Sequence, residues 1–123
     1  MREIDIDIKF RFWDKKQKLM NPVGMIDFDN HRVFSLTWVE YLDYVLMQYT
    51  GLKDKNGKEM WEGDINLDYD NRISEVVFYA GGFYFKYSEI EYKHIGSFAP
   101  FNFLIIGNIF ENPELLEGKN SGE

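Results

Sequence analysis

At 123 residues the chain fits a single domain by length, and a chain of that size buries roughly two-thirds of its unfolded surface without metal or disulfide staples. With 45% hydrophobic and 18% aromatic residues it is expected to fold rather than stay disordered. The absence of cysteine excludes disulfides, thiolate nucleophiles and thiolate metal sites, and a formal charge of −7 favours a basic protein partner over nucleic acid.

The start, Met1-Arg2-Glu3-Ile4-Asp5, places charges where a signal peptide needs an apolar run. No apolar stretch approaches the ~18 residues needed to cross a bilayer, so no membrane association is expected and the location is read as cytoplasmic. Ile4, Ile6, Ile8, Phe10 and Phe12 alternate with charged residues, which predicts a strand with one solvated face. Trp13 falls on the charged side of that register, as an edge cap, and Asp14 to Lys18 reads as a turn. Leu19 to Phe28 is a weaker strand interrupted by Pro22 and Gly24. Asp29 to Arg32 turns into a β-rich run, Val33 to Trp38, and Glu40 to Tyr44 allows a short helical turn.

A strand from Tyr44 to Tyr49 leads into the stretch on which the chain is organised, Leu46 to Ile65. Thr50-Gly51 is expected to break that strand. Asp54-Lys55-Asn56-Gly57 predicts a tight turn with positive φ at both Asn56 and Gly57. Lys53 to Glu59 carries five charged side chains, so its tip belongs in water, while Leu52, Met60 and Trp61 fold back onto the core. Glu62-Gly63-Asp64 makes a second turn, and Ile65 to Tyr69 alternates as a half-buried strand does.

Further on, Glu75–Tyr79 and Phe83–Tyr87 form two strands joined by Ala80-Gly81-Gly82, with Gly-Gly supplying the hairpin turn. Alternation places Phe83, Phe85 and Tyr87 on one face, and Tyr84 and Lys86 on the other; an exposed Tyr84 beside Trp61 would mark a protein-contact patch. Ser88 to Phe101 has no clear pattern. Phe103 to Ile109 is apolar on both faces and is expected to be a central strand. Asn112-Pro113-Glu114 reads as an N-cap with proline at the first helical position, opening one helical turn. The result is a mainly β domain over residues 1–117, of about eight short antiparallel strands in a barrel or two packed sheets, with an SH3-like element suggested by Glu62-Gly63-Asp64-Ile65 and a mobile tail at 118–123.

Three stretches carry a family resemblance. Ile8 to Asp14 resembles an opening KFRAWD motif, with Phe12 standing where a small residue is usual. Leu46 to Ile65 resembles a central hallmark segment, and Ile105 to Leu116 a closing IGNIYENPELL. In this order they resemble the YopX family, small proteins found largely in phages and prophages of low-GC Gram-positive bacteria, with Asn21 to Tyr44 as the variable part. The resemblance implies a mostly β domain of phage origin in a bacterial host, and no activity. Its motif positions here, of unassigned role, are Trp13, Asp14, Tyr49, Thr50, Gly51, Asp54, Gly57, Trp61, Gly63, Asp64, Gly107, Asn108, Glu111 and Asn112.

Recognisable chemistry is sparse. With Gly57 at position six of a calcium loop, Leu52 and Gly63 fall where key oxygen ligands are needed. His31 and His94 lack metal-ligand spacing, and no GxSxG, GxxxxGK[ST] or GxGxxG is present. No metal, cofactor or catalytic residue is expected. Tyr69, Tyr79, Phe83 and Phe85 suggest a stacking surface, but the flanking charges are mostly acidic and core packing is the stronger reading. The residues favour a non-enzymatic module that binds a host or phage protein, using the loop around Lys53 to Asp64, with self-association through a strand edge left open. The alternative is a small β-barrel that binds single-stranded DNA or RNA.

Overall fold

The computed structural model describes residues 7–97 and 102–117. The expected tail at 118–123, and Ile4 and Ile6 of the first predicted strand, lie outside the described residues. Among the described residues the chain is mainly β, with twelve strands in three sheets and a short C-terminal helix. The count exceeds the eight or so expected because four strands have only three residues, too few to show alternation. Contacts group the chain into two compact units, Met1–Tyr49 and Thr50–Glu123.

In the first unit, β1 (Phe10–Asp14) lies between β2 (Leu19–Pro22) and β6 (Tyr44–Lys53), antiparallel to both. The strand starts later than the alternation predicts, and Ile8 is 65% exposed. Trp13 does not cap an edge: it pairs with Met20 on one side and Val45 on the other. Phe12 is buried and meets the edge of Tyr44 at 6.3 Å. The weak strand over Leu19 to Phe28 is two strands in two sheets, because Pro22 ends β2 and β3 (Met25–Asp27) pairs elsewhere. β4 (Arg32–Phe34) pairs with β3 and with β5 (Trp38–Glu40). The predicted run from Val33 to Trp38 is thus broken at residues 35–37, where Ser35 N–H reaches back to the Thr37 carbonyl and the chain folds onto itself. The helical turn expected after Glu40 is a 3-10 turn, Tyr41–Asp43.

β6 runs out of the first unit into the second and pairs there with β7 (Glu59–Trp61). Thr50-Gly51 does not break it. Gly51 takes φ +87 inside the strand, which a side chain would resist, while Thr50 Oγ donates to the Met60 carbonyl at 2.7 Å and keeps the strand tied. The second unit holds a five-stranded sheet in the order β11 (Glu91–His94), β10 (Gly82–Ser88), β9 (Ile73–Tyr79), β8 (Asp64–Leu67), β12 (Ile105–Asn108). β12 stands at the end of that order, not in the centre. Its apolar character comes from Ile105, buried in the core, and Phe103, buried just before the strand begins. Met60, Val76, Phe85, Tyr87, Ile95, Phe103 and Ile105 form one core, with Leu52 and Phe83 packed on it. The region from Ser88 onward supplies β11 and a 3-10 turn, Ile95–Ser97.

The β9–β10 hairpin turns on Ala80 and Gly81, at φ +49 and +83, and Gly82 is already in the strand opposite Tyr79. A two-residue turn needs positive φ at both central positions, so Ala80 is held in a backbone region costly for a residue with a Cβ. The helix α1 (Glu114–Glu117) is one turn long. Among the described residues no helix is long and apolar enough to cross a membrane.

Candidate functional site

The polar motif residues other than Glu111 have one job in common: their side chains hold backbone. In the first unit, Asp14 is buried and accepts from the Lys16 and Gln17 N–H groups at 2.9 and 3.0 Å. Tyr49, in β6, is buried; its N–H donates to the Lys9 carbonyl and Lys9 Nζ lies 4.9 Å from its ring centre.

In the second unit Asp54 is buried, while the tip of its loop, Lys55 to Lys58, is exposed as expected. One carboxylate oxygen accepts from Asn56 N–H and Lys58 N–H, and the other from Ile105 N–H, all at 2.9 Å. Burial pushes this carboxyl up, but three backbone donors outweigh it and the net shift is downward. Only Gly57 of the Asn-Gly pair takes positive φ, because Asp54 Oδ1 supplies the turn's geometry by bonding Asn56 N–H directly. Asp64 accepts from Trp61 N–H at 2.7 Å and closes the second turn. Gly63 donates to the Val76 carbonyl and accepts from Ile109 N–H.

The closing motif is built the same way. Asn108 Oδ1 accepts from Phe110 and Glu111 N–H, and its amide donates to the Glu111 carboxylate at 2.7 Å. The Asn112 side chain turns back to accept from Asn108 N–H at 3.2 Å, although the pattern predicts a helix cap. Gly107 allows this: a Cβ there would stand 2.5 Å from Asn112 Oδ1. The central and closing motifs meet through Asp54 with Ile105, Lys55 N–H with the Phe103 carbonyl, and Ile109 N–H with Gly63. They are a clamp, and the structure does not gather them into a reactive cluster.

Sequence reasoning missed a buried polar network. β8 was expected to be half-buried with a solvated polar face. Instead Asn66 and Ser74, paired across β8 and β9, are fully buried and Asp68 nearly so. Asn66 donates to one Asp68 oxygen at 2.7 Å and accepts from Leu104 N–H at 3.0 Å, and the Tyr87 hydroxyl donates to the other Asp68 oxygen. Burial raises the Asp68 carboxyl and also the Tyr87 phenol, the latter further held by its bond to Asp68. Arg72 lies over the Tyr87 ring at 4.2 Å and grips Glu91 at 2.7 and 2.8 Å. The available signal was Tyr87 itself, a hydroxyl on an apolar face that needs a partner. A cleft of about 150 Å³ opens beside Asp68, with Lys55, Tyr69, Asn71 and Asn102 on its walls. It is well below the size of a drug-like ligand site. Among the described residues no group of three His, Asp or Glu is placed to hold a metal.

The other exposed feature of this unit is a ring cluster on the sheet face opposite the core. Phe83, Phe85 and Tyr87 face the core as predicted. On the opposite face Tyr79 stacks on Tyr92, centroids 4.3 Å apart and planes at 15°. Tyr84 meets Tyr79 edge-on at 5.7 Å and His94 at 5.2 Å. Tyr84 and Tyr92 are both half-buried and Tyr79 is exposed, so the patch opens at Tyr79.

The model of the YopX protein family matches residues 9–117. The chain belongs to the YopX family. Two solved structures share its fold. The crystal structure of protein EF1440 from Enterococcus faecalis is 30% identical, with a TM-score of 0.66 over 91% of this chain and 99% of that one. The crystal structure of protein yopX from Bacillus subtilis is 22% identical, with a TM-score of 0.60 over 89% of this chain and 96% of that one. Among curated proteins none matches.

Proposed function

We propose that this YopX-family chain is a non-enzymatic protein-interaction module, made by a phage or prophage and working in the cytoplasm of a bacterial host. The observation that carries this is the ring cluster of Tyr79, Tyr84 and Tyr92, aromatic side chains left on a sheet face that the core does not use. Exposed tyrosines concentrate binding energy because they bury large area at low entropic cost. Asp54, Asp64 and Asn108 support the same reading, since their side-chain oxygens are committed to backbone N–H groups. That commitment also moves the contact surface away from the Lys53–Asp64 loop and onto the sheet.

Affinity capture from host lysate, with and without nuclease, tests the proposal. The expected result is a nuclease-resistant protein partner whose recovery falls with Tyr79→Ala and Tyr92→Ala together. Recovery of nothing above background argues against it. The parallel Tyr79–Tyr92 stack with Lys86 at 5.8 Å from the Tyr92 ring also favours a second reading, a stacking platform for single-stranded nucleic acid. Capture that disappears with nuclease supports that one.

A further inference from the structure

The charges around the ring cluster indicate what kind of partner it suits. Strand pairing fixes the face: Tyr79 stands opposite Gly82, Tyr84 opposite Val77 and His94, and Lys86 opposite Glu75 and Tyr92. The charged side chains facing the rings are therefore Glu75 from β9 and Lys86 from β10, with His94 from β11 as the titratable neighbour. Lys86 is held by Glu89 at 3.0 Å, and that bond raises its affinity for its proton. Glu75, Lys86 and Glu89 together sum to one negative charge, so the face does not offer the basic groove that a phosphate backbone needs. Tyrosine faces are themselves electronegative, and the −7 of the whole chain draws in cations from a distance.

The same chain repeatedly satisfies its rings with cations. Arg32 lies 4.1 Å from the Trp38 ring centre, Arg72 4.2 Å from that of Tyr87, and Lys9 4.9 Å from that of Tyr49. At the hairpin end Tyr79 remains 49% exposed, open to the same kind of contact from outside. We infer that the Tyr79–Tyr84–Tyr92 face docks a basic peptide segment of a protein partner, with arginine or lysine side chains lying over the tyrosine rings. The inference rests on the interaction-module reading and specifies the chemistry of its partner.

A fluorescent nona-arginine peptide titrated into the full chain, followed by anisotropy, tests it against a nona-glutamate peptide and an oligothymidylate. Tyr79→Leu with Tyr92→Leu is expected to weaken nona-arginine binding about tenfold, at two- to fivefold per ring. Tyr79→Phe with Tyr92→Phe keeps the ring faces and is expected to stay within about twofold. Circular dichroism and thermal unfolding check that the variants fold. If the leucine pair unfolds, the wild-type His94 ring resonances are followed instead, and no shift on adding nona-arginine overturns the inference. Undiminished binding by a folded leucine pair overturns it, since only general attraction to an acidic chain would remain. Tighter binding of oligothymidylate than of nona-arginine also overturns it. A partner captured from lysate that survives the leucine substitutions sinks this inference and leaves the module reading intact. Ring-dependent peptide binding with nothing captured supports the surface and counts against the module reading.

Discussion

The two units spend their apolar residues differently. Of twelve exposed large hydrophobic side chains among the described residues, eight lie in the first unit. They include Phe28, Leu36 at 91% exposure, Tyr41 and Leu42, all in the stretch that resembles the variable part of the family. The second unit gathers seven buried residues into one core and exposes four large hydrophobics, among them Phe78 and Tyr79 at one hairpin end. Sheet length contributes to the difference. Three strands of three residues, β3 to β5, offer little surface under which to bury a side chain, whereas β9 and β10 have seven residues each. The second unit is also where the central and closing motifs clamp each other, so its order rests on particular hydrogen bonds as well as on apolar area.

The largest expected effect breaks that clamp. Asp54→Ala leaves three N–H groups, the buried one of Ile105 among them, without an acceptor and should cost about 3 kcal/mol in urea denaturation. An unchanged midpoint would remove the clamp as the distinction between the units. Gly107→Ala forces a Cβ against Asn112 and should cost about 2 kcal/mol by the same measurement.

Asp54 and Asp68, two of the three buried carboxyls of the second unit, should respond to acid with opposite sign. Asp68 has its carboxyl raised on folding, so its contribution to stability grows as pH falls from neutrality toward about 4. Asp68→Asn removes that dependence. Asp54 has its carboxyl lowered, so its contribution is present above the ordinary carboxylate range and lost as pH falls below it through the folded value. Parallel urea titrations at several pH values check both signs.

Ala80→Asn should stabilise by about 0.5 kcal/mol, because asparagine tolerates the positive φ that alanine resists. The smallest effect belongs to the first unit. Phe28→Ser and Leu36→Ser should shift stability by no more than about 0.5 kcal/mol, as their side chains are already in water. A loss of several kcal/mol there would mean that these side chains carry structure after all.

Much of the fold was legible. The turn at Asp54–Gly57, the Phe83–Phe85–Tyr87 core face and the turn at Glu62–Asp64 were all visible, because each depends on neighbours in sequence. The three motifs sufficed to suggest the family that the match over residues 9–117 shows. What failed to show was non-local. Asn66 and Asp68 read as a solvated face until Tyr87 and Leu104 supplied their partners from distant segments. Between Ile65 and Ile109 the pattern marks four of the five strands, missing β11, and does not give their order, so β12 reads as a central strand.

The sequence by itself determined the β character, the positions of most turns and the acidic charge, since these follow from period-two patterning, glycine and asparagine backbone preferences, and side-chain counts. Only the tertiary structure decided which polar residues are buried, which strand stands at an edge and which tyrosines face outward. Alternation separates the two faces of a strand but does not say which one another segment will cover, and that cover sets both the buried network at Asp68 and the open rings at Tyr79.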